Sequence, residues 1–117
     1  MISQYKNILT FFAHPDDETL AAGATINKLS NKGCRIHVAI PATGINARRN
    51  TQNKKTRDKD MLNLKKDTFK ALSKIGVNKS DIYLGNFDDN ELDKYPLLKL
   101  IHWIEKIIKE VKPDAIF

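Results

Sequence analysis

Short apolar blocks rich in β-branched and aromatic residues alternate along this chain with longer segments of helical periodicity, and that alternation limits the fold more than any single motif. Asn7 to Ala13 (NILTFFA) predicts a buried strand. Thr19 to Lys32 follows as a helix, with Leu20, Ala24, Ile26 and Leu29 at mainly helical spacing and Gly33 as its C-terminal cap. Arg35 to Ile40 (RIHVAI) predicts a second strand, and about Lys59 to Ile75 a second helix with Met61, Leu64, Thr68, Leu72 and Ile75 on one face. Asp81 to Leu84 (DIYL) predicts a third strand. Leu97 to Val111 reads as a third helix, with Leu97, Leu98, Ile101, Ile104, Ile107, Ile108 and Val111 facing a core, and Asp114 to Phe117 (DAIF) as the start of a fourth strand. Strands separated by helices of this length pair in parallel through right-handed crossovers. The expected class is therefore α/β: a Rossmann-like open parallel sheet with helices on both faces, incomplete at the C-terminus.

With 117 residues there is room for one domain, and 41% hydrophobic content is enough to give it a core. Cys34 is the single cysteine, so no internal disulfide can form, and the apolar runs are too short for a bilayer span or a signal segment. These features predict a cytoplasmic protein. The net charge of +6 comes from lysines spread over helix faces, without aromatic-basic ribbons or zinc-finger spacing, so nucleic acid is not the expected partner.

The most unusual local sequence is FFAHPDDETL, residues 11–20, where an apolar block ends in a histidine followed by three acids. The predicted elements place it at the carboxyl end of strand one, on the turn into helix one, at the sheet edge where ligands bind in open parallel folds. Two further segments reach the same edge: ATGINARR (42–49) after strand two and GNFDDNELD (85–93) after strand three. Pro15 and the acids also suit an ordinary helix start beside the positive end of the dipole. His14 is left unexplained by that reading. As chemistry, His14 and Asp17 offer one nitrogen and one oxygen to a metal, and Asp16 stays available to take a proton from metal-bound water. Asp93 serves equally well as a helix N-cap, and Arg48 and Arg49 as exposed loop charges. His37, in mid-strand, and His102, among lysines on a polar helix face, are weaker metal candidates.

The segment AHPDDETLAAGATINKLSNKG resembles the signature of the PIG-L/LmbE-type zinc-dependent N-deacetylases, which remove acetyl groups from N-acetylglucosamine units and related small molecules. TGINAR resembles that family's second loop, and NFDDNELDKYPLLKLIHWIEKIIKEVKPDAIF resembles the stretch leading into its fourth strand. The resemblance implies a zinc cofactor held by His14 and Asp17, Asp16 as general base, Arg48 (or its neighbour Arg49) and Asp89 on the sugar hydroxyls, and a small-molecule N-acetylated sugar or glycoconjugate as partner. It also implies a third zinc ligand, a histidine on the chain leaving strand four. The sequence ends at Phe117, so residues 1–117 read as the N-terminal part of a single deacetylase domain. As such it would be an incomplete catalyst, with apolar surface that favours self-association into a homo-oligomer. The β–α connection from Thr43 to about Asp58 is long and is expected to carry the sugar-facing arginine.

Two other classes fit parts of the pattern. A phospho-acceptor receiver module also pairs acids after strand one with an aspartate after strand three, here Asp88 or Asp89, and would bind magnesium; nothing in that scheme calls for His14. A non-catalytic remnant of the deacetylase fold is the other. A nucleotide-binding Rossmann half would need a Gly-x-Gly-x-x-Gly turn that this chain lacks.

Overall fold

A computed structural model describes residues 4–42, 54–88 and 92–117. The strands β1 (Asn7–Phe11), β2 (Arg35–Ala42), β3 (Ile82–Phe87) and β4 (Ala115–Ile116) are joined through helices α1 (Asp17–Asn31), α2 (Lys54–Lys74) and α3 (Leu97–Val111). All pairings are parallel and the spatial order is β3-β2-β1-β4. The chain builds outward from β1 through β2 to β3, then crosses back so that β4 pairs on the other side of β1. In a receiver-type sheet β1 lies between β2 and β3. Here β2 occupies that place, so the topology sets the receiver reading aside.

Register decides which side chains share a face. Ile8 lies opposite Ile36, and with Val38, Ile40 and Ile82 it packs against Ile26 and Leu29 of α1 and Leu72 of α2. On the other face Leu9 and Ala39 meet Ile107 and Val111 of α3. The period-two alternation of the strands thus feeds one apolar layer to α1 and α2 and a second to α3.

Among the departures from the periodic pattern, two boundaries and one helix face have a local reason. β2 continues through Pro41, which would ordinarily end a strand because it has no N–H. The β2–β3 pairing shifts register between Ile40 and Ala42, and Gly85 faces the proline, where a Cβ would overlap the Pro41 carbonyl. Helix α2 starts five residues earlier than its apolar face, because Lys54–Asp58 carries no apolar residue to reveal it. In α1 the buried phase is Glu18, Ile26 and Leu29 with Ala22 half-buried, whereas Leu20 is 85% exposed. The leucine is more apolar, but the glutamate occupies the core-facing position.

Helix α3 has the predicted bounds, yet only its second half is buried. Ile107 and Val111 pack on the sheet while Leu97, Leu98 and Ile101 are 71%, 62% and 37% exposed. Among the described residues no helix is long and apolar enough to cross a membrane.

His37 belongs to the fold. It is buried, its Nε2 pairs with Asn7 Oδ1 at 2.8 Å, and its Nδ1 lies 3.4 Å from Asp81 Oδ1. Arg35 grips the same Asp81 with Nε and Nη2 at 3.0 and 2.8 Å. Asn7 in turn donates through Nδ2 to the carbonyls of Val111 and Lys112, tying the C-terminal end of α3 to the amino ends of the strands. Burial holds His37 below the usual imidazole range, outweighing the pull of Asp81. Asp81 itself is pushed up by burial but held down more strongly by the Arg35 hydrogen bonds and the neighbouring charges.

Candidate functional site

β1 ends at Phe11, and the next residues turn sharply into α1 beside the place where the strand order reverses, between β1 and β4. Open α/β sheets bind ligands outside the carboxyl ends of their strands at that point. The turn is closed by its own backbone: Asp17 N–H donates to His14 O at 3.3 Å, and the amides of Thr19 and Leu20 donate to Asp16 O at 3.1 and 2.9 Å. Asp16 pays for this with a positive φ of 90°. For a residue with a Cβ such a conformation costs about 1–3 kcal/mol and persists only where the surroundings enforce it.

The result separates the two adjacent aspartates. Asp17 folds back, its Oδ2 accepting from His14 N–H at 3.1 Å and lying 3.4 Å from His14 Nδ1. Asp16 occupies the N-cap position of α1 but makes no side-chain cap bond, and it is exposed. His14 Nδ1 and Asp17 Oδ2 have the separation that two ligands of a tetrahedral zinc adopt, about 3.3–3.4 Å for bonds of about 2.0–2.1 Å. Both side chains are partly open, at 43% and 47% exposure, so an ion can reach them. The donor atoms and their separation fit a zinc ion, and a catalytic zinc takes three protein ligands, of which such a pair would be two. Among the described residues no group of three or more His, Cys, Asp or Glu forms a metal-holding cluster.

Glu18 completes the acidic run in a different environment. Only 1% of it is exposed, its Oε1 accepts from Thr19 Oγ1 at 3.2 Å, and its Oε2 has no hydrogen-bond partner among the described residues. Burial raises its pKa; the backbone amides of Glu18 and Asp16 and the Thr19 hydroxyl offset part of that rise.

A second polar group gathers at the end of β3. Asp88 Oδ1 receives Arg57 Nη2 of α2 at 2.5 Å, and its Oδ2 receives the Tyr95 hydroxyl at 2.7 Å. The Asp88 amide donates to the same hydroxyl at 3.2 Å, so α2, β3 and the segment before α3 are clasped together. Next to this clasp a groove of about 240 Å³ is lined by Asn86, Phe87, Tyr95, Lys99 and Trp103. Phe87 stands edge-on to both Tyr95 and Trp103, at 5.2 and 6.0 Å between ring centroids.

Residues 9–117 match the family described as PIG-L, GlcNAc-PI de-N-acetylase. The chain belongs to this family. Among curated relatives, a probable N-acetyl-α-D-glucosaminyl L-malate deacetylase 2 of Bacillus cereus is 30% identical over 112 residues, covering 95% of this chain and 50% of its own length. Among solved structures, the N,N'-diacetylchitobiose deacetylase of Pyrococcus horikoshii, in complex with an inhibitor, superposes with a TM-score of 0.83 at 26% identity over 99% of this chain and 41% of its own. The chain thus spans about half the length of the curated relative it matches.

Of the residues singled out from the PIG-L-like sequence, the structure brings His14 and Asp17 together with Asp16 beside them. Arg48, Arg49 and Asp89 lie outside the described residues. Asp93 is exposed in a short 3-10 turn, and His102 is exposed on α3. Arg57, Tyr95 and the buried placement of Glu18 were not read from the sequence. Glu18 carried a usable signal, since it lies four and eight positions before Ala22 and Ile26 on the helix. Arg57 and Tyr95 carried none.

Proposed function

We propose that this chain provides the metal-binding and proton-accepting part of a zinc-dependent hydrolase that removes the acetyl group from an N-acetylglucosamine-type sugar. The observation that carries the reading is the His14–Asp17 pair, 3.4 Å apart at the carboxyl end of β1, with an uncommitted Asp16 beside it. His14 and Asp17 hold the ion. A bound zinc supplies Lewis-acid polarisation of the amide carbonyl and a water acidified to a pKa of about 7. Asp16 takes a proton from the attacking water and returns it to the departing nitrogen, so that hydrolysis of the amide C–N bond gives acetate and a free amine. The adjacent aspartates divide the labour: one is bound into the turn by the His14 amide, the other projects from a strained backbone without a capping bond.

The sugar assignment has support of two kinds. Both relatives are named for N-acetylated sugar substrates. The groove beside β3 also combines aromatic rings with polar groups, as sites for small polar molecules do. Arg48 and Asp89, which follow β2 and β3 in sequence, hold the sugar hydroxyls in this reading.

The test is acetate release from an N-acetylglucosamine derivative in the presence of zinc, for the chain alone and fused to the second half of the Bacillus cereus relative. The fusion should turn over. Asp16→Asn in that fusion should lower turnover roughly 10²–10⁴-fold with zinc content unchanged. A fusion that holds zinc and releases no acetate overturns the deacetylase reading, and loss of zinc in Asp16→Asn inverts the assignment of the two aspartates.

A further inference from the structure

Helix α2 closes onto the sheet in its C-terminal half and stands off it at the carboxyl edge. Leu72 is fully buried and Thr68 nearly so, but Leu64 and Met61, one and two turns before Thr68 on the same face, are only half-buried. Beneath them is a cavity of about 20 Å³, walled by Met61, Leu64 and Thr68 on α2, by Ala42 and Gly85 near the ends of β2 and β3, and by Pro15. No side chain can fill it from residue 85, because a Cβ there would overlap the Pro41 carbonyl.

The walls and the size say what the cavity takes. The Thr68 hydroxyl donates to the Leu64 carbonyl at 2.8 Å, and among the described residues that line the space Lys65 alone is charged. Such a lining favours a hydrocarbon group over water. The room is that of one water-sized group, for which about 10–15 Å³ is needed, and a methyl is of that size. Pro15 sets the position. It is peptide-bonded to His14 on one side and to Asp16 on the other, so one wall of the cavity is the middle of the turn that carries a metal ligand and the proton acceptor. In an acetamide the methyl is one bond from the carbon that water attacks, so a carbonyl engaged at this turn brings its methyl to the same wall.

We propose that this cavity is the acyl pocket of the hydrolase: it takes the methyl of the acetyl group, and Met61 and Leu64 set the length limit that excludes longer acyl chains. The assignment rests on the deacetylase reading above, and its experiment separates the two. Acid release is measured from the N-formyl, N-acetyl, N-propionyl and N-butyryl amides of glucosamine, with the fusion described above. In each, water supplies the hydroxyl of the acid and the C–N bond breaks to give the same amine. Acetyl should exceed propionyl by roughly 10–200-fold, the discrimination that one methylene gives in an apolar pocket. Met61→Ala and Leu64→Ala should each narrow that ratio by about tenfold or more, and Leu64→Phe, which fills the space, should lower acetyl relative to formyl by a similar factor. Each ratio is read within one protein, so a loss of fold or of zinc lowers all rates together and leaves it unmoved.

The 117-residue chain gives a second readout. With zinc and N-acetylglucosamine present, the acetyl methyl should show a nuclear Overhauser contact to the side-chain methyl of Met61. Acetyl-to-propionyl ratios unchanged in both alanine variants overturn the pocket, while acetate release by the unsubstituted fusion leaves the deacetylase reading standing. Should the variants fail to fold, absence of the Met61 contact overturns it instead. A fusion that holds zinc and releases no acid from any of the four amides brings down the deacetylase reading and the pocket with it.

Discussion

At the amino end of the sheet, Arg35, Asp81, His37 and Asn7 form a network in which each polar side chain is engaged with another, and Asn7 passes the connection on to the last carbonyls of α3. At the carboxyl end, His14, Asp16 and Asp17 draw on similar residue types, but the side chains are half-open or exposed and the backbone beneath them is strained. A histidine close to an aspartate occurs at both ends, at the same 3.4 Å. The difference is in what else the two groups touch. Asp81 is saturated by a guanidinium and shut off from water, so it serves the fold. Asp17 Oδ2 accepts from the His14 amide and lies 3.4 Å from its Nδ1, but the side chain is half-exposed, so it keeps capacity for a ligand. Proximity of ligand-type residues is weak evidence of a site; unspent capacity with access is better evidence.

The largest expected effect tests that contrast directly. Asp17→Asn should reduce zinc affinity by more than about 100-fold and leave the unfolding midpoint nearly unchanged, since the side chain is half-exposed. Asp81→Asn should do the reverse, lowering the midpoint by roughly 5 °C by weakening a charge-assisted pair of bonds in a buried setting, with zinc affinity intact. Zinc affinity measured by titration and midpoints measured by circular dichroism should thus dissociate cleanly. If Asp81→Asn weakened zinc as much as Asp17→Asn, the two ends would be coupled and the contrast would fail.

The contrast also explains what was legible in the sequence. The strand and helix order was legible because NILTFFA, RIHVAI and DIYL are short apolar or β-branched blocks between longer segments of helical spacing, and α3 carries a continuous apolar stripe. The HPDDE cluster could be placed because element order alone assigns it to the carboxyl edge. The β2 extension through Pro41 could not, since it depends on Gly85, which lies forty-four positions away in sequence and becomes its neighbour only when β3 pairs. Nor could the roles of His37 and Asp81, whose meeting is a product of strand pairing. Glu18 was read only as one of the acids that suit a helix start, and its burial went unnoticed because charge is a poor guide to burial at a helix N-terminus, where backbone amides lie close at hand. The exposure of Leu97 and Leu98 was hidden for the opposite reason: periodicity tells which residues share a face, and is silent about whether that face is covered.

A smaller effect concerns pH and the amino end. His37 is held below its ordinary value of 6.5, first by burial and then by the Arg35 charge, against the opposing pull of Asp81 and Glu110. Tyr83 also lies near the ring, at 6.3 Å between centroids. The folded protein therefore binds fewer protons at His37 than the unfolded chain does, so stability should fall as pH drops below about 6.5 and level off beneath the folded value. The slope of unfolding free energy with pH from this one proton can reach at most about 1.4 kcal/mol per unit. His37→Gln, which can still donate to Asn7, should flatten that part of the curve. Asp81 contributes in a separate window, because its folded value lies below the ordinary 3.8 and its stabilisation is lost only as pH falls through that lower range. A profile that is already flat between pH 7 and 5 in the unsubstituted chain would show that His37 is not held neutral by the fold.

The smallest effects belong to the clasp at the end of β3, which sharpens the comparison because Asp88 is a carboxyl-edge acid that is already engaged. Tyr95→Phe removes a hydroxyl that both donates to and accepts from Asp88, and should cost about 1 kcal/mol. Arg57→Ala breaks an ion pair whose arginine is 40% exposed, and should cost less than that, within the range of surface pairs. Both values follow from access to water: a partner lost at this edge is replaced by solvent, whereas a partner lost around Asp81 leaves a buried carboxylate. Denaturant unfolding of the two variants beside Asp81→Asn ranks them. An Arg57→Ala midpoint as low as that of Asp81→Asn would mean that the carboxyl edge is held as firmly as the amino edge, and engagement would then no longer distinguish the acids that serve the fold from those left for chemistry.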